Sequence, residues 1–425
     1  MIQNRPILKE ILHQIDRTAD ELFAMIQELV RIPSVVGEEG RAQEWVFNLY
    51  ETLGLEAVKF VPRKEDLLRH PAYFEIGFPY NESRPNVIGI CRGKDNGRSL
   101  LLNGHIDVVS PEPLETWHEG GPWSGKIEGG RLYGRGAADM KSGLLANFFA
   151  LKTLLILGLK PKGTVLLQSV IEEEAGGSGG TLACLQAGYK ADAMIIPEPF
   201  DLRIITAHPG IRYFRVKVIG KTAHAGQSHL GVNAIGKLAK IYDRLMELDL
   251  ERAKRHQNPF FEASSGRSCN LNIGTFKAGD WVSTVAGAAQ LEARISYLPE
   301  ETEESMRREV EEAVSEVVAK DPWLKEHPPA IEWFGWDAKP WIQDPETPLI
   351  RRFEEVASEV LNFTPEIAAS HAGLDTRFGP YFAMPSFSFG PRGGLLHTSN
   401  EYVDLDSVLQ TTKVLAAFIA DWCEI

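Results

Sequence analysis

The chain is poor in the features that would take it out of the ordinary globular class. Across 425 residues it has no apolar run near the roughly 18 residues that a membrane-spanning helix needs, which excludes a helical membrane protein. Its four cysteines, Cys91, Cys184, Cys269 and Cys423, lie far apart and form no Cys-x-x-Cys pair, so neither a thiolate zinc site nor a disulfide framework is indicated. Basic residues are outnumbered, 45 Lys and Arg against 58 Asp and Glu, for a formal charge of −13. Phosphate binding needs concentrated Lys and Arg, so nucleic acid is excluded as the main partner. The opening Met1-Ile-Gln-Asn-Arg-Pro lacks the pattern of a secretory leader, and a cytoplasmic location with reduced thiols is the expectation. Internal repeats and low-complexity segments are also missing.

What is present is a globular enzyme's composition, 44% hydrophobic and 24% charged, in a chain too long for one core. Two domains are expected. The first 60 residues read as helical, with Leu22, Ile26, Leu29 and Val30 on one stripe and a second pattern from Ala42 to Leu53. From Pro62 to Arg84 prolines, aromatics and polar residues break the periodicity, as in a surface insertion or extended excursion. Strand-type runs then alternate with a helical segment from Met140 to Leu157, which implies a parallel sheet with helices on its faces. After about His208 the strands alternate apolar and polar residues and the helices are amphipathic, as in a smaller α+β domain. The expected division is 1–207 and 321–425 for an α/β catalytic domain, with 208–320 inserted as a lid or dimerisation domain.

The informative polar residues stand where apolar strands stop. Leu100-Leu-Leu-Asn-Gly-His105-Ile-Asp107 ends one strand, Glu172, Glu173 and Glu174 follow Thr164 to Ile171, and Glu198 follows Ala193-Met-Ile-Ile-Pro. In open parallel sheets the ligand crevice lies beyond the carboxyl ends of the strands, so these groups are expected to converge. Carboxylates ending a buried strand need a countercharge, because unpaired buried charge is prohibitively costly, and a metal ion is the economical one. Asp139, where a helix begins, and His397, in Gly393-Gly-Leu-Leu-His397, extend the set. Two histidines and three or four carboxylates without a thiolate suit Zn²⁺, Mn²⁺ or Co²⁺. The acids exceed the needs of one tetrahedral ion, which suggests two, about 3.5 to 4 Å apart. Each residue taken singly has a plainer reading: His105 as a loop histidine, Asp139 as an N-cap, Glu198 between two prolines as a turn residue. The glycines after Glu174 do not have dinucleotide-binding spacing.

Gly104-His105-Ile-Asp107-Val-Val, Gly134-Arg-Gly-Ala-Ala-Asp139-Met-Lys-Ser-Gly, the Glu-Glu-x-Gly-Gly run and His397-Thr-Ser-Asn-Glu401-Tyr together resemble the co-catalytic zinc deacylases and exopeptidases. That family includes acetylornithine deacetylase, succinyl-diaminopimelate desuccinylase, aminoacylase and carboxypeptidase G. The resemblance implies that Asp139 bridges two ions, that His105 and Glu198 complete one ligand set and that Glu174 and His397 complete the other. It implies Glu173 as the unligated general base and Asp107 as the partner that orients His105. His224, in Gly220-Lys-Thr-Ala-His224-Ala-Gly, resembles the lid-domain histidine that stabilises an oxyanion across a dimer. Arg294, Asp375 and Arg377 resemble substrate-side residues.

The chain departs from the family pattern on the substrate side. It has His371-Ala-Gly-Leu-Asp375 where many relatives carry Gly-Gly-Thr-Ser-Asp, losing hydroxyls that would bond a substrate carboxylate. It has Gly279-Asp280-Trp281 where relatives have an Asn before an apolar-Pro step. The implied function is a di-metal amidohydrolase that removes a small acyl group (acetyl, formyl or succinyl) from an N-acyl amine or amino acid. A dipeptidase or carboxypeptidase and a formylaminopyrimidine-type deformylase stay open within the same chemistry. A non-catalytic metal-binding relative is the reading from another class, opposed by the retention of Glu173. The implied cofactors are two divalent ions, zinc first, with cobalt or manganese as alternatives. The implied partners are a small N-acyl substrate and a second copy of the chain.

Overall fold

The computed structural model describes residues 5–118 and 120–425. The chain forms two compact units. The first runs to Thr206 and resumes as Gln343–Ala368 and Leu374–Ile425, and the second comprises Ala207–Ile342 with Ala369–Gly373. Among the described residues no helix is long and apolar enough to cross a membrane. All four cysteines are free and buried.

The larger sheet includes β1 (Glu56–Phe60), β2 (Asn86–Cys91), β3 (Leu100–His105), β4 (Val165–Val170), β5 (Met194–Ile196), β6 (Ile204–His208) and the short Ser386–Ser388. They lie in the order β1-β2-β4-β3-β5, then Ser386–Ser388, then β6. The middle four, β4, β3, β5 and Ser386–Ser388, are mutually parallel, while β1, β2 and β6 join antiparallel. Parallel strands bury both faces, which is why β3, β4 and β5 are buried at every residue, including the polar Asn103, His105, Gln168 and Ser169. Their shared direction carries His105, Val170 and Ile196 to the same edge of the sheet.

Residues 142–156, Ser-Gly-Leu-Leu-Ala-Asn-Phe-Phe-Ala-Leu-Lys-Thr-Leu-Leu-Ile, are apolar almost all round, and the helix they form is buried along nearly its whole length. The same core takes in the C-terminal helix Leu405–Trp422 and helix Pro348–Leu361. Phe353 meets Phe387, Phe389 and Phe418 edge-on, with ring centroids 4.6 to 5.0 Å apart. The first 60 residues are not helical throughout. After helices Arg5–Arg17, Ala19–Val30 and Gly40–Thr52, the segment Glu56–Phe60 pairs with β2, and that tertiary pairing overrides any helical tendency. The 62–84 segment is mostly exposed, as its composition suggests, but it anchors Leu67, Ala72 and Arg84 in the interior.

The second unit holds an antiparallel sheet of β7 (Gly210–Ile219), β8 (Leu271–Ala278), β9 (Ala288–Tyr297) and β10 (Ala330–Ala338), in the order β8-β9-β7-β10. It runs past residue 320 because β10 completes the sheet by pairing with β7. Burial alternates along β7 and β9, and Phe214, Val216, Leu291 and Ala293 pack against Leu238, Ile241 and Leu245 of helix Ala234–Arg255 and Met306 and Val310 of helix Glu303–Lys320. Each helix has a side-chain N-cap: Asn233 accepts from the Ile235 N–H at 2.9 Å, and Thr302 from that of Ser305 at 3.1 Å. The fold is thus a mostly parallel sheet with helices, plus a separate smaller antiparallel α+β unit, as the strand texture implies.

Candidate metal centre

The carboxyl ends of β3, β4 and β5 deliver His105, the Glu172–Glu174 turn and Glu198 to one place, and two loops add Asp139 and His397. Asp139 is at the centre. Its Oδ1 lies 3.1 Å from His105 Nε2 and its Oδ2 lies 3.4 Å from His397 Nε2. Glu198 Oε1 is 3.6 Å from the same nitrogen of His105, and Glu174 Oε2 is 3.0 Å from that of His397. Two triads result, His105 with Asp139 and Glu198, and Asp139 with Glu174 and His397. In each triad the donor atoms lie within 4.8 Å of one another. Asp139 is no N-cap: the helix begins only at Ser142, and Asp139 makes no capping bond there. Glu198, for its part, is buried and turned to His105 rather than lying on an exposed turn.

Glu173 belongs to neither triad. Its Oε2 stands 4.0 Å from His105 Nε2, and burial, with Asp375 and then Glu198 and Glu174 nearby, holds its carboxyl well above the usual range. Burial acts likewise on Glu198, reinforced by Asp139. On His397 burial opposes the charge, but Glu174 and Asp139 outweigh it and raise the imidazole to about 11. His105 is raised well above its ordinary value because Glu198, Asp139 and Asp107 likewise overcome burial. Burial would raise Asp139, yet its hydrogen bonds to the two imidazoles pull it far below the carboxylate range. Four carboxylates therefore face two imidazoles, a deficit of positive charge that divalent cations with nitrogen and oxygen preference would fill.

The turn after β4 is clamped from several sides. The Asp107 carboxylate accepts the N–H groups of Glu173 and Glu174 at 3.2 and 3.1 Å, while its own backbone carbonyl holds His105 Nδ1 at 2.9 Å. Asp107 thus orients His105 through its main chain and the glutamate pair through its side chain. Arg377 is buried, with Nη1 on the Leu374 carbonyl at 2.9 Å, Nη2 on that of Gly176 and Asp375 Oδ1 at 3.3 Å. Gly176 and Gly177 have φ of +107° and +66°, and a Cβ on either would stand 2.1 Å from the Phe74 ring or from Asp375 Oδ1. Only glycine satisfies both the backbone and the space there.

Two supports have no role assigned from the sequence. Glu401 is fully buried, pairs with Arg135 at 2.6 Å, and accepts the N–H groups of Ala138 and Asp139 at 3.0 and 3.1 Å. Lys141 is also buried and donates to the Leu29 and Ile32 carbonyls at 3.1 and 2.8 Å, anchoring the other side of Asp139. Glu401 closes the His397 motif and Lys141 lies within the Asp139 motif, and those positions were the available hints.

The remaining expected residues lie in the second unit. His224 is exposed, and its Nδ1 accepts the Gly226 N–H at 3.1 Å, so the neutral ring carries its proton on Nε2. Arg294 donates to Asn270 Oδ1 at 2.6 Å and to the His371 carbonyl at 3.2 Å.

The sequence pattern of Peptidase family M20/M25/M40 matches residues 101–421. The chain belongs to that family. It is accordingly a metallohydrolase acting on amide bonds. Among curated relatives of this M20 chain is N-formyl-4-amino-5-aminomethyl-2-methylpyrimidine deformylase of Halalkalibacterium halodurans, 29% identical over 450 residues, covering 99% of this chain and 98% of the relative. Succinyl-diaminopimelate desuccinylase of Leptothrix cholodnii is 25% identical over 392 residues, covering 90% and 94%. Human carnosine dipeptidase 1 shares the M20 fold, with a TM-score of 0.76 at 17% identity over 98% of this chain and all of that one.

Proposed function

We propose that this M20 chain is a di-metal deacylase that removes a small acyl group, formyl, acetyl or succinyl, from the nitrogen of a small amine or amino acid. One observation carries the reading: the two oxygens of Asp139 face different histidines, and each histidine has a further carboxylate of its own. His105, Asp139 and Glu198 would hold one divalent ion, and Asp139, Glu174 and His397 the second. When bound, such ions supply Lewis acidity to the amide carbonyl and acidify water. Zinc suits the donors, as do cobalt and manganese.

Glu173 takes the proton of the attacking water and returns it to the departing amine. Its burial beside Asp375 makes it a stronger base than an exposed glutamate, as a proton shuttle near neutral pH requires. Asp107 holds the backbone of Glu173 and Glu174 so that the adjacent carboxylates keep different orientations. His224, protonated at Nε2, is the proposed donor to the developing oxyanion, worth about 2.7 to 4 kcal/mol for such a group. A homodimer through the second unit goes with that role. The exposed β8 strand, with the solvent-facing Phe276 and Tyr242 rings 6.4 Å apart, offers a sheet edge for it. Arg294, Asp375 and Arg377 are proposed to shape the substrate side, the latter two by holding the turn that carries Glu173. A cytoplasmic location accords with four free thiols.

Among acyl groups, formyl on an aminopyrimidine is supported by the deformylase likeness along the whole chain. A panel of N-formyl, N-acetyl and N-succinyl amines beside dipeptides, assayed on zinc- and cobalt-reconstituted protein, tests the reading. Turnover confined to dipeptides would replace it with a peptidase. Glu173→Gln should keep its metal and lose about 10² to 10⁴ in kcat, and wild-type turnover would remove Glu173 from its role.

A further inference from the structure

Glu172, the first of the three glutamates, has neither a catalytic nor a ligand role, yet it is fully buried and adopts a left-handed backbone, φ +56°. A non-glycine residue in that region is strained by about 1 to 3 kcal/mol unless its surroundings compensate. Its Oε1 accepts the Gly179 N–H and, at 3.2 Å, the Tyr80 hydroxyl. The nearest cation to Oε2 is Arg84, with Nη2 at 3.8 Å. Arg84 is itself buried and forked onto Glu39, Nε at 2.7 Å and Nη2 at 2.8 Å, with Nη1 on the Pro79 carbonyl at 3.1 Å. Glu39 is fully buried and also accepts the Gly37 N–H at 2.9 Å.

Tyr80 and Arg84 belong to the 62–84 segment. The same segment lays the Phe74 ring on Gly176, where a Cβ would stand 2.1 Å from the ring's Cζ, and bonds the Phe74 N–H to Ser178 Oγ at 3.4 Å. It therefore touches the Glu172–Gly179 turn at four residues, Glu172, Gly176, Ser178 and Gly179. Asp107 and Arg377 hold that turn elsewhere, by its backbone at Glu173, Glu174 and Gly176.

We propose that Glu39, Tyr80 and Arg84 are positioning residues that set the Glu173–Glu174 pair by locking Glu172, making the 62–84 segment a brace for the metal and base carboxylates. None of the three reaches the reacting atoms. Arginine is required because its planar fork engages Glu39 with two donors while presenting positive charge to Glu172. Lysine keeps the charge and loses the fork. The inference rests on the roles proposed for Glu173 and Glu174.

The test compares Tyr80→Phe, Arg84→Lys and Glu173→Gln by three readouts: zinc titration of metal-free protein by calorimetry, kcat and KM on the substrate found by the panel, and thermal unfolding. Tyr80→Phe deletes one hydroxyl and keeps the ring, so it tests the brace even if Arg84→Lys folds poorly. Expected for Arg84→Lys is a loss of about 10 to 100-fold in the affinity of one of two zinc ions or in kcat, with KM little changed. Tyr80→Phe should shift the same quantities by a few-fold at an unchanged Tm. Wild-type zinc affinity and kcat in folded Tyr80→Phe and Arg84→Lys, with Glu173→Gln inactive, would overturn the brace alone. An active Glu173→Gln would instead overturn the parent reading of the base.

Discussion

Each unit of this chain contains a histidine among acidic residues, and the two clusters differ in what neutralises them. In the second unit His256 lies 3.4 Å from Glu301 and 3.7 Å from Glu309. Those acids already have Arg252 at 2.8 and 2.5 Å, and Glu309 has Arg255 at 2.9 Å. In the first unit, among the described residues, the ion-pair partners of Asp139, Glu174 and Glu198 are histidines alone. Both clusters have ligand-like spacing. Only the first lacks a resident guanidinium, and histidine can surrender its proton to a metal whereas arginine cannot. Spacing alone does not make a metal centre; the charge balance around the spacing does.

The largest effect should come from Asp139→Ala, which removes a donor from both triads at once. We expect zinc binding at both positions to weaken by more than the roughly 10 to 100-fold that follows loss of an outer partner, and turnover to vanish with it. Calorimetry showing two intact zinc ions would remove Asp139 from the centre. Glu401→Gln comes next. It weakens the hold on the Asp139 backbone and leaves Arg135 buried without its carboxylate, at a cost of about 3 to 5 kcal/mol of stability by analogy with broken buried pairs. Chemical denaturation measures that directly.

A third effect is on pH. In the metal-free chain His397 holds its proton up to about 11 and His105 well above the ordinary imidazole value. Each bound metal must displace one of these protons, so affinity falls as pH falls, by about tenfold per pH unit for each proton displaced. Zinc titrations in buffers of different ionisation enthalpy should show proton release at neutral pH, and none would contradict the charge assignment. The smallest effect belongs to the compensated cluster. His256→Gln should leave zinc stoichiometry and kcat unchanged and alter stability by no more than about 1 kcal/mol, because its acids keep their arginines.

Much of the first unit's centre was legible along the chain. His105, Glu173, Glu174 and Glu198 follow apolar strand runs, and parallel pairing in register makes residues just past strand ends neighbours. Asp139 and His397 lie on loops, and their motifs rather than any periodicity marked them. The contacts of two supports, Glu401 and Arg84, were not legible. Glu401 reaches Asp139 across 262 positions, Arg84 reaches Glu39 across 45, and neither pairing leaves a local pattern. The 62–84 segment was legible in part: most of it is exposed, as its prolines and polar residues suggest, but local composition cannot reveal that Arg84 has a buried acid waiting for it.

By itself the sequence determined the alternation of strand and helix, the change of texture near His208 and the donor types available to a metal. These follow from side-chain chemistry and from periods of two or 3.6 residues, which act over a few positions. Only the tertiary structure decided which oxygen of Asp139 faces which histidine, that the Asp107 side chain serves the glutamate turn, and which acid cluster keeps its arginines. Those outcomes depend on distances between residues far apart in the chain, and on how burial there strengthens charges that water would otherwise screen.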